Sequence, residues 1–408
     1  SRVRPDPGAR SGHIIASTPV QPNRCPVSRN RNQQAAEAVF RTFLGLPTGA
    51  KIAVVAVGLV VGGVALAMYA RRVEPTAPPE SAPVAPGSVA FMFWNVENLF
   101  DDRDDHRNST DEPYDNWFAE DAAARKMKFE HLTEIILKQN GGNGPDILVC
   151  VEVESVRAAE LLRDALNEKV PAGKTKYEHL AMKELATNAG RFMAPCVISK
   201  LPLDPARTKL LGTHNLRVLE THVVANGADL TLIASHWTSQ LSDKGTSKGS
   251  GRDKYASVIH EEYERYLTAK PDVDYLVCGD FNDDPESDAV ANVLGVTGDR
   301  SAVTAAARPA RLFGLLSGKP LDQYSTIYYD RDHKASIFDQ IAVSPGMLDP
   351  IGWGCDPDSV KVPTEGMSRS GKVARRPWRF GDKNDKAIER GYADHFPVTV
   401  NLKLQTAP

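Results

Sequence analysis

The chain has 408 residues, 41% of them hydrophobic and 25% charged, which is ordinary globular composition and long enough for one large or two medium domains. Its net charge of -3 hides an asymmetry: residues 1–75 carry ten Lys or Arg against three Asp or Glu, and the rest is acidic. An acidic body excludes a protein that coats nucleic acid by bulk charge, though not an enzyme whose carboxylates hold a metal. With five cysteines and no CxxC or Cys/His spacing, neither a disulfide scaffold nor a structural zinc site is expected.

In chain order, residues 1–50 read as a basic, disordered arm. Ile52 to Ala70 then runs without a charge, between Lys51 and Arg71-Arg72. About 20 apolar residues span a bilayer, so residues 51–72 are expected to form a single transmembrane helix, with a cleaved signal peptide as the alternative. The basic arm favours its own side as the inner one. The chain is then expected to be membrane-anchored through residues 52–70, with an extracytoplasmic body and a monomeric state. Residues 73–88 are proline-rich and read as an extended linker.

From residue 89 to 408 the pattern is that of one α/β domain. Strands are expected at 89–94, 147–151, 195–199, 216–224, 229–235, 275–278, 337–343 and 398–402, and helices at 122–138, 156–169 and 255–269. The Asn226-Gly227 pair between two strand runs marks a hairpin.

Polar groups recur where these runs end. Asn95 and Glu97 close the first strand two residues apart, and strict alternation would put them on one face. Glu152 closes the second strand, and His236 the second arm of the hairpin. Asp280 and Asn282 follow the next run, Asp339 sits inside an apolar run, and Asp394-His395 precede the last strand. An acid buried without a partner is costly, so Asp339 asks for one. This inventory suits phosphate-ester hydrolysis. Mg²⁺, or Mn²⁺ or Ca²⁺ in its place, takes oxygen ligands and keeps several waters; Glu152 and Glu97 are the candidate metal ligands. A general base must take a proton from the attacking water, and a His held by an Asp does this near neutral pH, a role that fits His395 oriented by Asp339. Asp280 and Asn282 can position the attacking water, and His236 can stabilise charge on the phosphate.

The order Trp94-Asn95-Val96-Glu97-Asn98, a strand-ending Glu152, Ser235-His236-Trp237, Gly279-Asp280-Phe281-Asn282-Asp283, Phe338-Asp339-Gln340 and Asp394-His395 resembles the endonuclease/exonuclease/phosphatase superfamily. That superfamily includes pancreatic-type deoxyribonucleases, abasic-site endonucleases, bacterial sphingomyelinases and inositol-polyphosphate phosphatases. The resemblance covers residues 89–404. It implies a four-layer α/β sandwich of two mixed sheets flanked by helices, with the site at the top of the sheets. It also implies metal-dependent phosphodiesterase activity, of endonuclease or exonuclease type with nucleic acid as the substrate, with Asn95 and Glu152 toward the metal and Asp394 close to the metal or the base. A sphingomyelinase-like activity on phospholipid, or one on small phosphoesters, is the alternative, and a non-catalytic binding domain the third reading. Some nucleases of the family place a Tyr in the stretch corresponding to residues 190–198, and here there is none.

Three further segments invite a functional reading. The loop after His236 is rich in Ser, Gly and Lys and offers Lys244, Lys248 and Arg252 as phosphate contacts. Arg375-Arg376-Pro377-Trp378-Arg379 combines cations with an aromatic ring that can stack on a base. The acidic run 101–121 is a candidate Ca²⁺ loop, without the Gly and Glu spacing of a known one.

Overall fold

A computed structural model describes residues 87–405 apart from 109, 186–190, 214–215, 241–242, 244–250, 372 and 374. These residues belong to one compact unit, Ala77–Pro408. The arm, the expected membrane segment and the linker lie outside the described residues. Among the described residues no helix is long and apolar enough to cross a membrane.

Two mixed sheets stack face to face. The first contains β1 (Gly87–Leu99), β2 (Ile147–Val153), β3 (His179–Met182), β4 (Ala194–Ser199), β14 (Trp353–Lys361) and β15 (Val398–Leu404), in the order β14-β15-β1-β2-β4-β3. The second contains β5 (Lys209–Leu210), β6 (Val218–Ala225), β7 (Ala228–His236), β8 (Asp274–Asp280), β9 (Val296–Thr297), β10 (Leu312–Gly314) and β13 (Asp339–Val343), in the order β5-β6-β7-β8-β13-β10-β9. A small hairpin, β11 (Ile327–Tyr329) with β12 (Lys334–Ser336), stands apart from both.

The burial explains the stacking. Phe91, Phe93, Val149, Val151, Leu232, Leu276 and Cys278 are each at most 1% exposed and share one apolar core between the sheets. The helices α1 (Glu112–Glu120), α2 (Ala122–Gly142) and α3 (Val156–Lys169) precede and follow β2; α2 and α3 pack on the outer face of the first sheet. On the second sheet, α4 (Gly251–Ala269) packs Tyr255, Ile259 and Tyr263 against Ile233, Tyr275 and Val277. Helices, sheet, sheet and helix make the expected four layers.

The departures from the sequence reading have local causes. β1 begins at Gly87, where it pairs with Leu404, so the strand takes in the last two residues assigned to the linker. β13 begins at Asp339 rather than 337, because the Phe338 and Asp339 amides turn to donate to Thr326 Oγ1 at 3.1 and 3.2 Å. β14 was not expected: it carries Pro357 and a register shift between Asp356 and Lys361, features tolerated only at a sheet edge. Inside α2, helical dihedrals stop at Gln139, just past the expected helix end at residue 138. The Asn226-Gly227 turn forms with φ of 51° and 78°, and it closes the β6–β7 hairpin. Cys150, Cys196, Cys278 and Cys355 are free thiols.

Candidate active site

Each sheet contains a parallel pair at its centre, β1 with β2 and β7 with β8. The carboxyl ends of these four strands meet at one end of the sandwich. In the second sheet the register does most of the assembly: His236 lies opposite Asp280, and Asp280 opposite Asp339. Register partners share a face, so three polar side chains form one row across three strands. In the first sheet the ladder breaks where the chemistry begins. β1 and β2 pair in register to Asn95 and Val151, then shift before Leu99 and Val153. Within that break Glu97, Asn98 and Glu152 take φ of 50°, 55° and 63°, and Asn282 beyond β8 takes 50°. Non-glycine residues rarely adopt this region, and such strain gathers at functional sites.

The break overturns the expectation that Asn95 and Glu97 share a face. Asn95 Oδ1 accepts the Glu97 amide at 3.0 Å, which turns the chain. The Glu97 carboxylate then accepts the Phe380 and Gly381 amides at 2.6 and 3.0 Å, while Asn95 faces the site.

Asp280 Oδ2 is the hub. It accepts from Asn95 Nδ2 at 3.0 Å and lies 3.6 Å from His236 Nε2 and 3.8 Å from His395 Nε2. Its other oxygen accepts the Asn282 amide at 2.9 Å, and Asn282 Nδ2 donates to the Trp237 carbonyl at 3.1 Å. On the far side of the imidazole, His395 Nδ1 meets Asp339 Oδ2 at 2.6 Å, which gives Asp339 its partner. The Trp94 indole donates to the His395 carbonyl and fixes the backbone there. Glu152 accepts from Asn95 Nδ2 at 3.3 Å and from the Asn98 amide at 3.0 Å, and lies 3.8 Å from His236 Nε2. Asn95, Glu152, His236, Asp280, Asn282, Asp339 and His395 thus converge, from six segments of chain.

The surroundings push these groups apart electrostatically. Burial raises Asp280 to about 7, even though His395 pulls it down. Burial would lower His395, but Asp339, Asp280 and Asp394 together lift it well above the ordinary histidine value. His236 falls well below that value through burial and the nearby Arg217, Arg191 and His395 charges. Burial works to raise Glu152, yet Arg191, His395, the Asn98 amide and Asn95 outweigh it and lower the carboxyl. Burial and the Asp394 charge raise Glu97 to about 8, against the Lys128 charge and the Phe380 and Gly381 amides, which pull it down.

A family model described as Endonuclease/Exonuclease/phosphatase family matches residues 88–404. The chain belongs to this family. Endonuclease/exonuclease/phosphatase enzymes are hydrolases of phosphoester bonds, typically dependent on a divalent metal. No curated protein matches the chain by sequence. Among solved structures, TDP2 from D. rerio complexed with a single-strand DNA product is 16% identical with a TM-score of 0.46, covering 78% of this chain and 99% of its own. A mannosyl-6-phosphatase from Bacteroides thetaiotaomicron is 15% identical with a TM-score of 0.45, covering 77% and 99%. Sphingomyelinase C from Streptomyces griseocarneus is 16% identical with a TM-score of 0.44, covering 77% and 99%. The activities named for these three differ, so none selects a substrate here.

The residues present fit the family's metal. Glu152 and Asp394 offer carboxylate oxygens, as hard divalent cations require; Asn95 offers Oδ1, which also accepts the Glu97 amide, and turns its Nδ2 to Asp280 and Glu152. Asp394 Oδ1 is buried with no hydrogen-bond partner, an orphan that a cation would satisfy. The cluster Asp280, Asp339 and His395 also brings ligand atoms within 4.8 Å of one another. Its His395 Nδ1, however, is already engaged by Asp339.

Several neighbours of the site gave little or no sequence signal. Arg191 donates to Asp111 at 2.7 Å, binds Asn98, and reaches 3.9 Å from Glu152. Tyr114 of α1 packs its ring 5.9 Å from the Arg191 guanidinium, so an aromatic reaches this rim from a helix rather than from residues 190–198. Tyr329 of β11 stacks edge-on against Phe338, and its hydroxyl feels the charges of Asp280, Asp394 and Asp339.

The remaining candidates lie elsewhere. Lys244 and Lys248 fall outside the described residues. Arg252, at the start of α4, is paired with Asp283 at 2.9 Å and Asp243 at 3.3 Å, so its charge is engaged within the protein. Arg375 binds Ser325 and covers the Phe396 ring, Arg376 pairs with Asp330, and Arg379 pairs with Asp385 at 3.0 Å. The Trp378 indole donates to the Glu389 carbonyl. In the acidic run, α1 forms where a Ca²⁺ loop was considered, and it buries Trp117 and Phe118. Asp101, Asp105 and Glu154 do gather within 4.8 Å, with Arg107 paired to Glu154 at 2.8 Å and to Asp105 at 3.2 Å.

Proposed function

We propose that the chain hydrolyses phosphodiesters by direct attack of water, with nucleic acid as its substrate. The observation that carries the reading is the convergence on Asp280 Oδ2 of an amide and two imidazoles from three separate strands or loops. In this reading Asp280 accepts the proton of the attacking water while Asn282, tied to the Trp237 carbonyl, fixes the direction of approach. His395, clamped by Asp339, presents Nε2 as a charged donor to the phosphate oxygens, where negative charge grows in the transition state. His236 donates from the opposite side, and Arg191 adds a further positive charge at the rim. A divalent metal held by Glu152, Asn95 and Asp394 would polarise the phosphoryl oxygen and stabilise the leaving oxygen.

A nucleotide substrate is supported by the flank of the site. Next to Asp339, Tyr329 and Phe338 line a cavity of about 230 Å³ together with Arg331, Asp332, Lys334, Ser336 and Gln240, with Arg331 paired to Asp332 at 3.1 Å and Lys334 to Asp284 at 3.4 Å. An aromatic wall of this kind suits a stacked base.

The test is incubation of the full chain with plasmid DNA in Mg²⁺, in EDTA, and as Asp280→Asn, alongside sphingomyelin and sugar-phosphate arms. Nicking lost in EDTA and in the variant supports the whole reading. Turnover confined to sphingomyelin or a sugar phosphate would retain the site chemistry and overturn the nucleic-acid substrate. No turnover of any phosphoester by folded protein would overturn both.

A further inference from the structure

Behind the site lies a lysine with no contact to water. Ala124, Lys128, Leu132 and Ile136 recur every four residues along α2, so Lys128 sits on the buried stripe of the helix, at 0% exposure. Its Nζ donates to the Tyr392 carbonyl at 3.0 Å and lies 4.8 Å from the centre of the Phe380 ring. The charges it feels are those of Glu97, Asp394 and Glu152. One turn along, His131 Nδ1 meets the Gly391 carbonyl at 2.5 Å. Glu97, from the broken end of β1, holds the Phe380 and Gly381 amides. Two elements therefore grip both ends of the loop 380–392, whose next residues are Ala393, Asp394 and His395.

A buried ammonium is retained only where anions and acceptors compensate it, and buried carboxylates need the same in return. We propose that Lys128 is a positioning residue. By holding the Tyr392 carbonyl and balancing Glu97 and Asp394, it delivers Asp394 and His395 to Asp280 and Asp339 in one fixed arrangement. The contact acts through the loop, since Lys128 itself is closed off from any substrate. Its catalytic consequence rests on the phosphoesterase reading above.

The test compares full-length wild type, Lys128→Met and Glu97→Gln/Lys128→Met by thermal unfolding, amide hydrogen exchange and steady-state kinetics. Lys128→Met is expected to lose about 100-fold in kcat, the cost of an ångström-scale misplacement, with KM changed less than about 3-fold. Exchange at 391–396 should quicken while that of β8 stays as in wild type. A kcat within about 2-fold of wild type, a loss appearing only in KM, or unchanged exchange at 391–396 would overturn the proposal. Should Lys128→Met fail to fold, the double variant decides. Removal of both charges restoring a folded protein supports the pairing, and continued unfolding contradicts it. If wild type turns over no phosphoester, the functional reading fails on its own, while exchange and unfolding still decide the role of Lys128.

Discussion

Two regions of the second sheet bury a histidine among carboxylates, and they differ in a way that separates stability from chemistry. On the outer face, under α4, His222 and Glu220 are each 1% exposed. His222 Nδ1 meets Asp229 at 3.1 Å and its Nε2 meets the Tyr266 hydroxyl at 3.1 Å. Cations close the circuit: Lys209 reaches Glu220 at 3.2 Å and Glu262 at 2.8 Å, and Arg207 pairs with Asp229. Glu220 and His222 sit in unbroken β6 ladder, opposite Ile233 and Thr231. At the strand ends, by contrast, Asp280, Asp339, Asp394 and Glu152 crowd two imidazoles, with Arg191 and Lys128 as neighbouring cations. His236 Nδ1, Asp339 Oδ1 and Asp394 Oδ1 are left without partners there, against Glu220 Oε2 in the outer cluster. The backbone around them is left-handed at Glu97, Glu152 and Asn282. A buried His–carboxylate pair is therefore not diagnostic by itself. Uncompensated acids on strained strand ends are what mark the catalytic candidate.

The sharpest way to break this contrast is to remove one histidine from each region. His395→Ala is expected to cost about 10²- to 10³-fold in kcat, the range for losing one donor to transition-state charge, and to lower Tm as well, because it strips buried Asp339 of its partner. His222→Ala should leave kcat within about 2-fold and cost about 1–3 kcal/mol in stability, because it leaves buried partners unsatisfied. Equal kinetic losses in the two would dissolve the distinction.

pH separates the regions next. Asp229 has burial working against it, yet His222 and Arg207 hold it down to about 2. Its contribution is present above the unfolded carboxyl value of about 3.9 and fades as pH falls toward 2. His222 is shifted up: burial opposes the charge, but Asp229 and Glu220 prevail. Its contribution is complete below the unfolded value of about 6.5 and is lost as pH rises through the higher folded value. The Tm gap between wild type and His222→Ala should thus be widest from about pH 4 to 6.5. Asp280 runs the other way. With its acid raised to about 7, its contribution is present at low pH and is lost as pH rises from about 4 to 7. Asp280→Asn should therefore gain on wild type in Tm across that range.

Two smaller effects sharpen the boundary of the site. Arg191→Met should raise KM by about 10-fold, because the rim loses the cation that pairs with Asp111 and stands 3.9 Å from Glu152. Arg252→Ala should stay within about 2-fold in KM and kcat, since its guanidinium is committed to Asp283 and Asp243. A large KM effect there would place the start of α4 in the substrate path.

Much of the candidate row was legible because it follows from strand endings. Apolar runs that stop at His236, Asp280 and Glu152 show where polar groups emerge, and an acid inside 337–341 demands a partner, which His395 supplies. Alternation failed at Glu97, because Asn95 caps its own backbone and turns the chain; no periodicity argument reports that turn. Arg191 carried no signal, since a loop residue reaches Glu152 only through the fold. Lys128 did carry one: a charge at i+4 from Ala124 and i−4 from Leu132 lies on an apolar stripe. The expected membrane anchor falls on residues whose structure is not described, and it stands as an expectation.

Asp339 holds His395 Nδ1 at 2.6 Å, and in the proposed reaction the two act as one unit. The direct test is a kinetic cycle of His395→Ala, Asp339→Asn and the double variant on whichever phosphoester the chain turns over. The double variant should match His395→Ala within about 3-fold, because residues acting as a unit are not additive. Losses that multiply across the two substitutions would contradict it.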